Sequence, residues 1–256
     1  MIIDPTRTKM LRMQYSRQLT KQFRRFQRNA LISLIEIINR FQEGFNINRT
    51  TRAKTLRQTG FNTEIERYLN WAIEHDILEP SYTIAYNNVK QAYFKGIKDS
   101  SRKLKRYPDY IIGENMTMLD WEALVMIRDL NTDLIKGCTE AMKTAIQRSC
   151  SQGILNGWGM NKIAYSIKNN INGNSNMGII RAKTIARTEI INAYNTAAEK
   201  RYKEAGLSET EILWSTSFDE RTCDICAGYD GMTLAQTGER PPAHPNCRCA
   251  LVPNPK

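Results

Sequence analysis

No stretch of this 256-residue chain is apolar over the eighteen or so residues that a membrane-spanning helix needs. The start, Met-Ile-Ile-Asp-Pro, lacks an apolar core of signal-peptide length. Internal repeats and low-complexity tracts are missing, which excludes solenoid and fibrous architectures. There is no Gly-rich phosphate loop, no paired-carboxylate signature, and neither an H-E-x-x-H nor an H-x-E pattern, so the usual sequence marks of an enzyme are absent. Glycine and proline are missing from residues 8–42, and nothing there interrupts a helix. Acidic residues are scarce at the front: residues 1–28 hold eight bases against the single acid Asp4.

What is present is a soluble globular composition, 41% hydrophobic and 25% charged, with a net charge of +11 that is unevenly spread. Residues 209–256 carry seven acids and four bases, a local charge of −3, which leaves +14 on residues 1–208. A basic front end points to nucleic acid, an anionic surface or an acidic partner.

The chain reads as mainly α. A long helix is expected over residues 8–42, with an apolar stripe from Leu11 and Tyr15 through Leu19, Phe23 and Phe26 to Phe41. Arg12, Arg17, Lys21, Arg24, Arg25 and Arg28 make its first half cationic, and we expect an exposed arm there, available to nucleic acid. Gly44 is expected to stop the helix and residues 46–60 to form a polar loop. Thr63 with Glu66 has the capping-box spacing and predicts a helix to about Ile77. Pro80 suits the first turn of a further helix running to about Lys105, and Tyr107-Pro108 opens a linker to Met116. From Leu119 a stripe of Ile127, Leu130, Leu134, Cys138, Met142, Ile146, Cys150 and Ile154 predicts a long core helix. A short helix over 160–171, a polar turn at 172–176 and a helix over 177–205 closed by Gly206 follow. That last helix has a small-residue stripe, Ala182, Ala186, Ala193 and Ala197, which invites close packing. Beyond it, residues 211–218 and 249–252 have strand composition. The expected organisation is a basic helical arm and docking region (1–115), a helical core (116–208) and a small α+β zinc-ribbon-like module (209–256).

Four of the six cysteines and one of the two histidines fall within that module: Cys223-x2-Cys226, then His244-x2-Cys247-x-Cys249 after a gap of seventeen residues. Two short ligand pairs at this spacing suit a closed tetrahedral Zn²⁺ site, structural rather than catalytic. The expected ligands are Cys223, Cys226, His244 and Cys247. Cys249 is the alternate, and an all-cysteine site without His244 is also compatible with the spacing. Thiols laid out for metal fit synthesis in a reducing cytoplasm. Cys138 and Cys150, on a helical stripe, read as small core residues.

Three blocks occur in order: Arg181-Ala182-Lys183-Thr184-Ile185-Ala186-Arg187-Thr188-Glu189; Asp219-Glu220-Arg221-Thr222-Cys223-Asp224-Ile225-Cys226; and Pro241-Pro242-Ala243-His244-Pro245-Asn246-Cys247-Arg248-Cys249. Together they resemble the head morphogenesis family typified by protein F of bacteriophage Mu, over about residues 119–253. The resemblance implies a non-enzymatic minor head protein of a tailed phage or prophage. It also implies a place in the virion near the portal vertex, with portal or capsid protein and packaged DNA as partners, and no membrane or small-molecule substrate. A zinc-dependent nucleic-acid module acting off the virion is the competing reading, although the −3 charge of its segment is the wrong sign for gripping phosphates.

Within the first block, Arg187 and Glu189 have no opposite charge three or four residues away. Partners are therefore expected in the zinc segment, Arg221 and Arg248 for Glu189 and Asp219 or carbonyls for Arg187. On this reading the helix and the ribbon are joined as one body, and the block is structural.

Overall fold

A computed structural model describes residues 4–42, 60–110, 112–172 and 177–255. It contains the long helices α1 (Lys9–Gln42), α2 (Phe61–Ile73), α3 (Glu79–Leu104), α4 (Met118–Leu155), α5 (Met160–Asn172) and α6 (Met177–Glu204). After them come strand β1 (Ile212–Ser215), the short helices α7 (Asp224–Tyr229) and α8 (Leu234–Thr237), and strand β2 (Ala250–Pro253). The chain is mainly helical with a small C-terminal sheet, as its periodicity predicts. The stop at Gly44, the loop at 46–59 and the turn at 173–176 lie outside the described residues.

Several expectations are corrected. The Thr63 capping box is not used: α2 starts at Phe61, after Gly60 in the left-handed conformation (φ 68°), with no side-chain cap. Gly60 takes that φ without the Cβ clash any other residue would meet, so the backbone turn sets the start and Thr63 falls inside the helix. Helices α2 and α3 are joined by a π-helical turn, Glu74–Leu78, rather than separated. Pro80 has no N–H to donate to the carbonyl four residues back, and the helix widens just ahead of it. The stripe of α4 is buried as expected at Ile127, Met142, Ile146, Cys150 and Ile154 but departs from expectation at two positions. Leu130 and Leu134 are 52% and 42% exposed, whereas Asn131 and Ile135 beside them are buried. The Asn131 amide is bonded on both sides, so a polar residue whose hydrogen bonds are met takes the inward place between Ile127 and Ile135. Cys150 is buried as expected, while the Cys138 side chain lies outside the described residues.

The start of α1 is not an exposed arm. Tyr15, Leu19, Phe23, Phe26, Ala30 and Leu34 are all fully buried. Burying each large side chain contributes roughly 1.5–3 kcal/mol, which a free arm would forgo. The bases of the same segment are divided. Arg12 is 9% exposed and paired with Asp4, and Arg25 lies 3.6 Å from Asp76. Arg17, Lys21, Arg24 and Arg28 are exposed, and no ion pair is found for them among the described residues.

The chain divides into two compact units. Unit 2 (Gln18–Thr83, Thr132–Lys183) buries Phe23, Phe26 and Leu34 of α1, Phe61, Ile65 and Leu69 of α2, Met142 and Ile146 of α4, and Ile163 and Ile167 of α5. Asp76 in its π turn accepts from Asn29 Nδ2 at 3.2 Å. Unit 1 (Met1–Arg17, Ile84–Asn131, Thr184–Lys256) contains the sheet and all five clustered metal-ligating side chains. In it the small-residue face of α6 does what its composition predicts. A Cβ added to Gly96 of α3 would stand 2.4 Å from the Tyr194 carbonyl oxygen and 2.8 Å from the Ala197 Cβ, so the two helices touch backbone to backbone. Helix α4 is capped by Thr117 and Asp120, whose carboxylate accepts the Thr117 N–H at 2.7 Å. The same Asp120 takes Tyr93 Oη at 2.9 Å and Lys200 Nζ at 2.7 Å, tying α3, α4 and α6 together.

Strands β1 and β2 are antiparallel, with Ile212 opposite Pro253 and Trp214 opposite Leu251. Residues i and i+2 of β1 share one face, and each serves a different cluster. Ile212 packs with Leu104, Ala198, Tyr202 and Leu251, whereas Trp214 packs with Cys226, Cys247 and Cys249. The sheet thereby bridges the helical core and the cysteine site.

Candidate metal centre

The ribbon begins where Trp214 turns the chain. Its N–H and C=O pair with Met232 O (2.8 Å) and Gly231 N (2.9 Å), which brings the segment after β1 back alongside it. Gly231 sits at φ 75°, the left-handed geometry that this tight return requires. Between these points Cys223 caps α7, its Sγ accepting the Cys226 N–H at 3.4 Å. That bond curls the C-x2-C segment so that both sulfurs face one point, and it lowers the Cys223 thiol pKa.

The second cluster arrives from the other side. His244 Nε2 lies 3.2 Å from Cys223 Sγ and 3.1 Å from Cys226 Sγ, and Cys226 Sγ lies 3.8 Å from Cys247 Sγ. An edge of about 3.8 Å is what two sulfurs 2.3 Å from one Zn²⁺ would show. Two triads have all their donor atoms within 4.8 Å of one another: Cys223, Cys226 and His244, and Cys226, Cys247 and Cys249. Cys226 belongs to both. The five sequence-predicted donors are thus gathered at one place, and the residues fit a metal that prefers sulfur and nitrogen. With Cys226 in both triads, the geometry leaves His244 and Cys249 as the competing candidates for the last place.

The thiols of the cluster differ in how readily they ionise. The Cys247 thiol is pulled down by the hydrogen bond from Cys249, whereas burial raises Cys226 and the Cys249 thiol is pushed up beside the Cys247 thiolate. Ionised sulfur in a buried cluster is costly unless a cation shares it. His244 Nδ1 lies 2.9 Å from the Pro245 carbonyl, which favours the proton on Nδ1 and leaves Nε2 free to ligate. Burial opposes the charged imidazole, but the Pro245 carbonyl and the sulfurs of Cys247 and Cys223 outweigh it and raise the pKa.

The residues expected to join helix and ribbon are placed differently. Arg221 and Arg248 do not meet Glu189; both bind Asp219, Arg221 at 3.0 Å and Arg248 through two close hydrogen bonds. Asp219 precedes the first knuckle and Arg248 lies inside the second, so this pair clamps the two halves of the metal site. The Asp219 carboxyl is held well below the usual carboxylate range by that guanidinium. Glu189 is 3% exposed, but its Oε2 accepts from Asn131 Nδ2 (3.1 Å) and Asn192 Nδ2 (3.4 Å). Asn131 also accepts from Tyr15 Oη at 3.1 Å, which links α1, α4 and α6. Amides meet a buried carboxylate without bringing a second charge out of water, and this explains the replacement of the expected arginines. Arg187 is exposed.

Helix and ribbon are nevertheless joined, through groups that sequence reasoning missed. Asn195 donates to Cys249 O at 3.0 Å and accepts from Leu251 N at 3.0 Å, behaving as an extra strand partner for β2. Thr188 Oγ1 accepts the Asn246 N–H at 3.1 Å, and Arg240 pairs with Glu199 at 2.8 Å. The one available signal was Asn195 itself, a polar residue among the buried Ala193, Ala197 and Ala198.

Residues 144–252 match the model of a family described as phage Mu protein F like protein, and that span holds all three blocks. No curated protein and no solved structure matches the chain.

Proposed function

We propose, taking the phage Mu protein F-like match over residues 144–252 as the premise, that this protein is a non-enzymatic minor head protein of a tailed phage or prophage. The match carries the reading because it covers the helix, the knuckles and their connection as one unit. The protein is made in the host cytoplasm and resides in the virion, near the portal vertex. Portal or capsid protein is its main partner and packaged DNA a second. Among the described residues no helix is long and apolar enough to cross a membrane.

Two surface features support those partners. Helix α4 exposes Met118, Trp121, Val125, Met126, Leu130 and Leu134, an apolar stripe of the kind that marks a protein interface. The apolar stripe of α1 is not available for docking, since Tyr15, Leu19, Phe23 and Phe26 are buried. The exposed Arg17, Lys21, Arg24 and Arg28 recur at steps of three and four and lie on one side of α1, a row suited to phosphates.

A structural Zn²⁺ held by Cys223, Cys226, His244 and Cys247, with Cys249 as alternate, would supply the cross-link that a segment with so small a core lacks. Purified virions analysed by mass spectrometry should contain the protein in few copies. A phage lacking it should give defective heads or fail to deliver DNA. Particles that assemble and infect normally without it would overturn the assignment.

A further inference from the structure

Val252 and Pro253 of β2 border a recess of about 510 Å³, within the usual range for ligand sites. Its wall carries four cations, Arg7, Arg102, Lys103 and Arg106, with Tyr107 and Tyr194 beside them. The one acid in that wall among the described residues, Asp99, is already engaged by Lys95 at 2.7 Å, and it also takes Tyr194 Oη at 3.3 Å and Arg102 at 3.4 Å. Among the described residues no ion pair is found for Arg7, Lys103 or Arg106. Lys103 Nζ donates to a neutral partner, the Leu251 carbonyl, at 3.2 Å. Arg7 is held with φ at 51°, a backbone strain uncommon for a residue that is neither Gly, Asn nor Asp. The Asp4 to Thr8 turn that imposes it is closed by Arg7 N–Asp4 O (3.0 Å) and by Thr6 bonded to both Asp4 and Thr8.

We propose that this recess binds a phosphate group, with Arg7, Lys103 and Arg106 as its donors. Uncompensated cations converging on a concave surface are unfavourable to fold together and are relieved by an anion with several acceptor oxygens. Burial, with the like charges of Arg7, Lys95 and Arg106, brings the Lys103 ammonium down to about 8 against the opposing pull of Asp99. Phosphate in this setting comes from a DNA backbone or from a free phosphate or nucleotide. The inference does not rest on the virion reading, because it uses none of the residues of the metal site or of the basic row on α1.

The test uses the full chain, inorganic pyrophosphate followed by calorimetry, and a short DNA duplex followed by anisotropy. Arg7 and Arg106 are exposed, so an Arg7→Gln/Arg106→Gln variant should keep the wild-type melting temperature. Pyrophosphate should bind the wild type and bind that variant about tenfold or more weakly, as expected for lost charged hydrogen bonds. If duplex affinity falls in parallel, the backbone is the source; if it is unchanged while pyrophosphate binding is lost, the ligand is free phosphate. Lys103→Met, which leaves the Leu251 carbonyl with Tyr202 Oη at 3.4 Å, should also lose pyrophosphate while melting no lower than wild type. A wild type that ignores pyrophosphate, together with a double variant that binds duplex as tightly as wild type, overturns the proposal.

Discussion

Glu189 shows how a single buried carboxylate acquires a role its sequence position hides. Burial raises its pKa above the ordinary 4.5, against the pull of the Asn192 and Asn131 amides. A raised folded value means the folded state holds the proton more tightly than the unfolded chain. The stabilisation is therefore complete below the unfolded pKa and is lost as pH rises through the folded one. Glu189→Gln keeps an acceptor for both amides and removes the buried charge. It should melt at or above the wild type near pH 8, with the advantage vanishing toward about pH 4; thermal melts across that range check it. Asp219 behaves in the opposite sense, since Arg248 needs it ionised. Asp219→Asn should weaken zinc retention by about tenfold or more in chelator competition, as loss of a group that positions ligands does elsewhere. A variant that holds zinc as tightly as wild type would remove Asp219 from the site's architecture.

At the scale of the element, two helices carry the arguments. The exposed row on α1 predicts that replacing Arg17, Lys21, Arg24 and Arg28 together by Gln will weaken DNA binding. It should also flatten the salt dependence by roughly 0.9 per lost phosphate contact. Because the apolar stripe of α1 is untouched, helicity should not change; unaltered affinity would leave the row as a solvated face. On α6 the backbone contact at Gly96 is decisive. Gly96→Ala must displace the Tyr194 carbonyl rather than a flexible side chain, and should cost about 1–3 kcal/mol in denaturant unfolding. The capping box at Thr63 and the stripe through Leu130 are the counterpart lessons. Local spacing proposed them, but a left-handed Gly60 and a hydrogen-bonded Asn131 outweighed a few tenths of a kcal/mol of local preference.

For the molecule as a whole, metal content is the sharpest test. Reduced protein purified from cytoplasm should hold about one zinc per chain, and Cys226→Ser, which touches both triads, should abolish it. Comparing His244→Ala with Cys249→Ala identifies the last ligand, since the variant that keeps metal has lost a residue outside the shell. The helical class, most helix bounds, the two strands and the five clustered donors could be read from the sequence alone. Each follows from periodicity, breakers or spacing, which are local properties of the chain. Only the tertiary structure decided that the cationic end of α1 is packed into the core, that Asp219 takes both arginines, and that Asn195 and the Arg240–Glu199 pair, rather than Glu189, hold the ribbon to α6. Those outcomes depend on which groups lose water together, and desolvation is a property of the assembled neighbours that no spacing along the chain encodes.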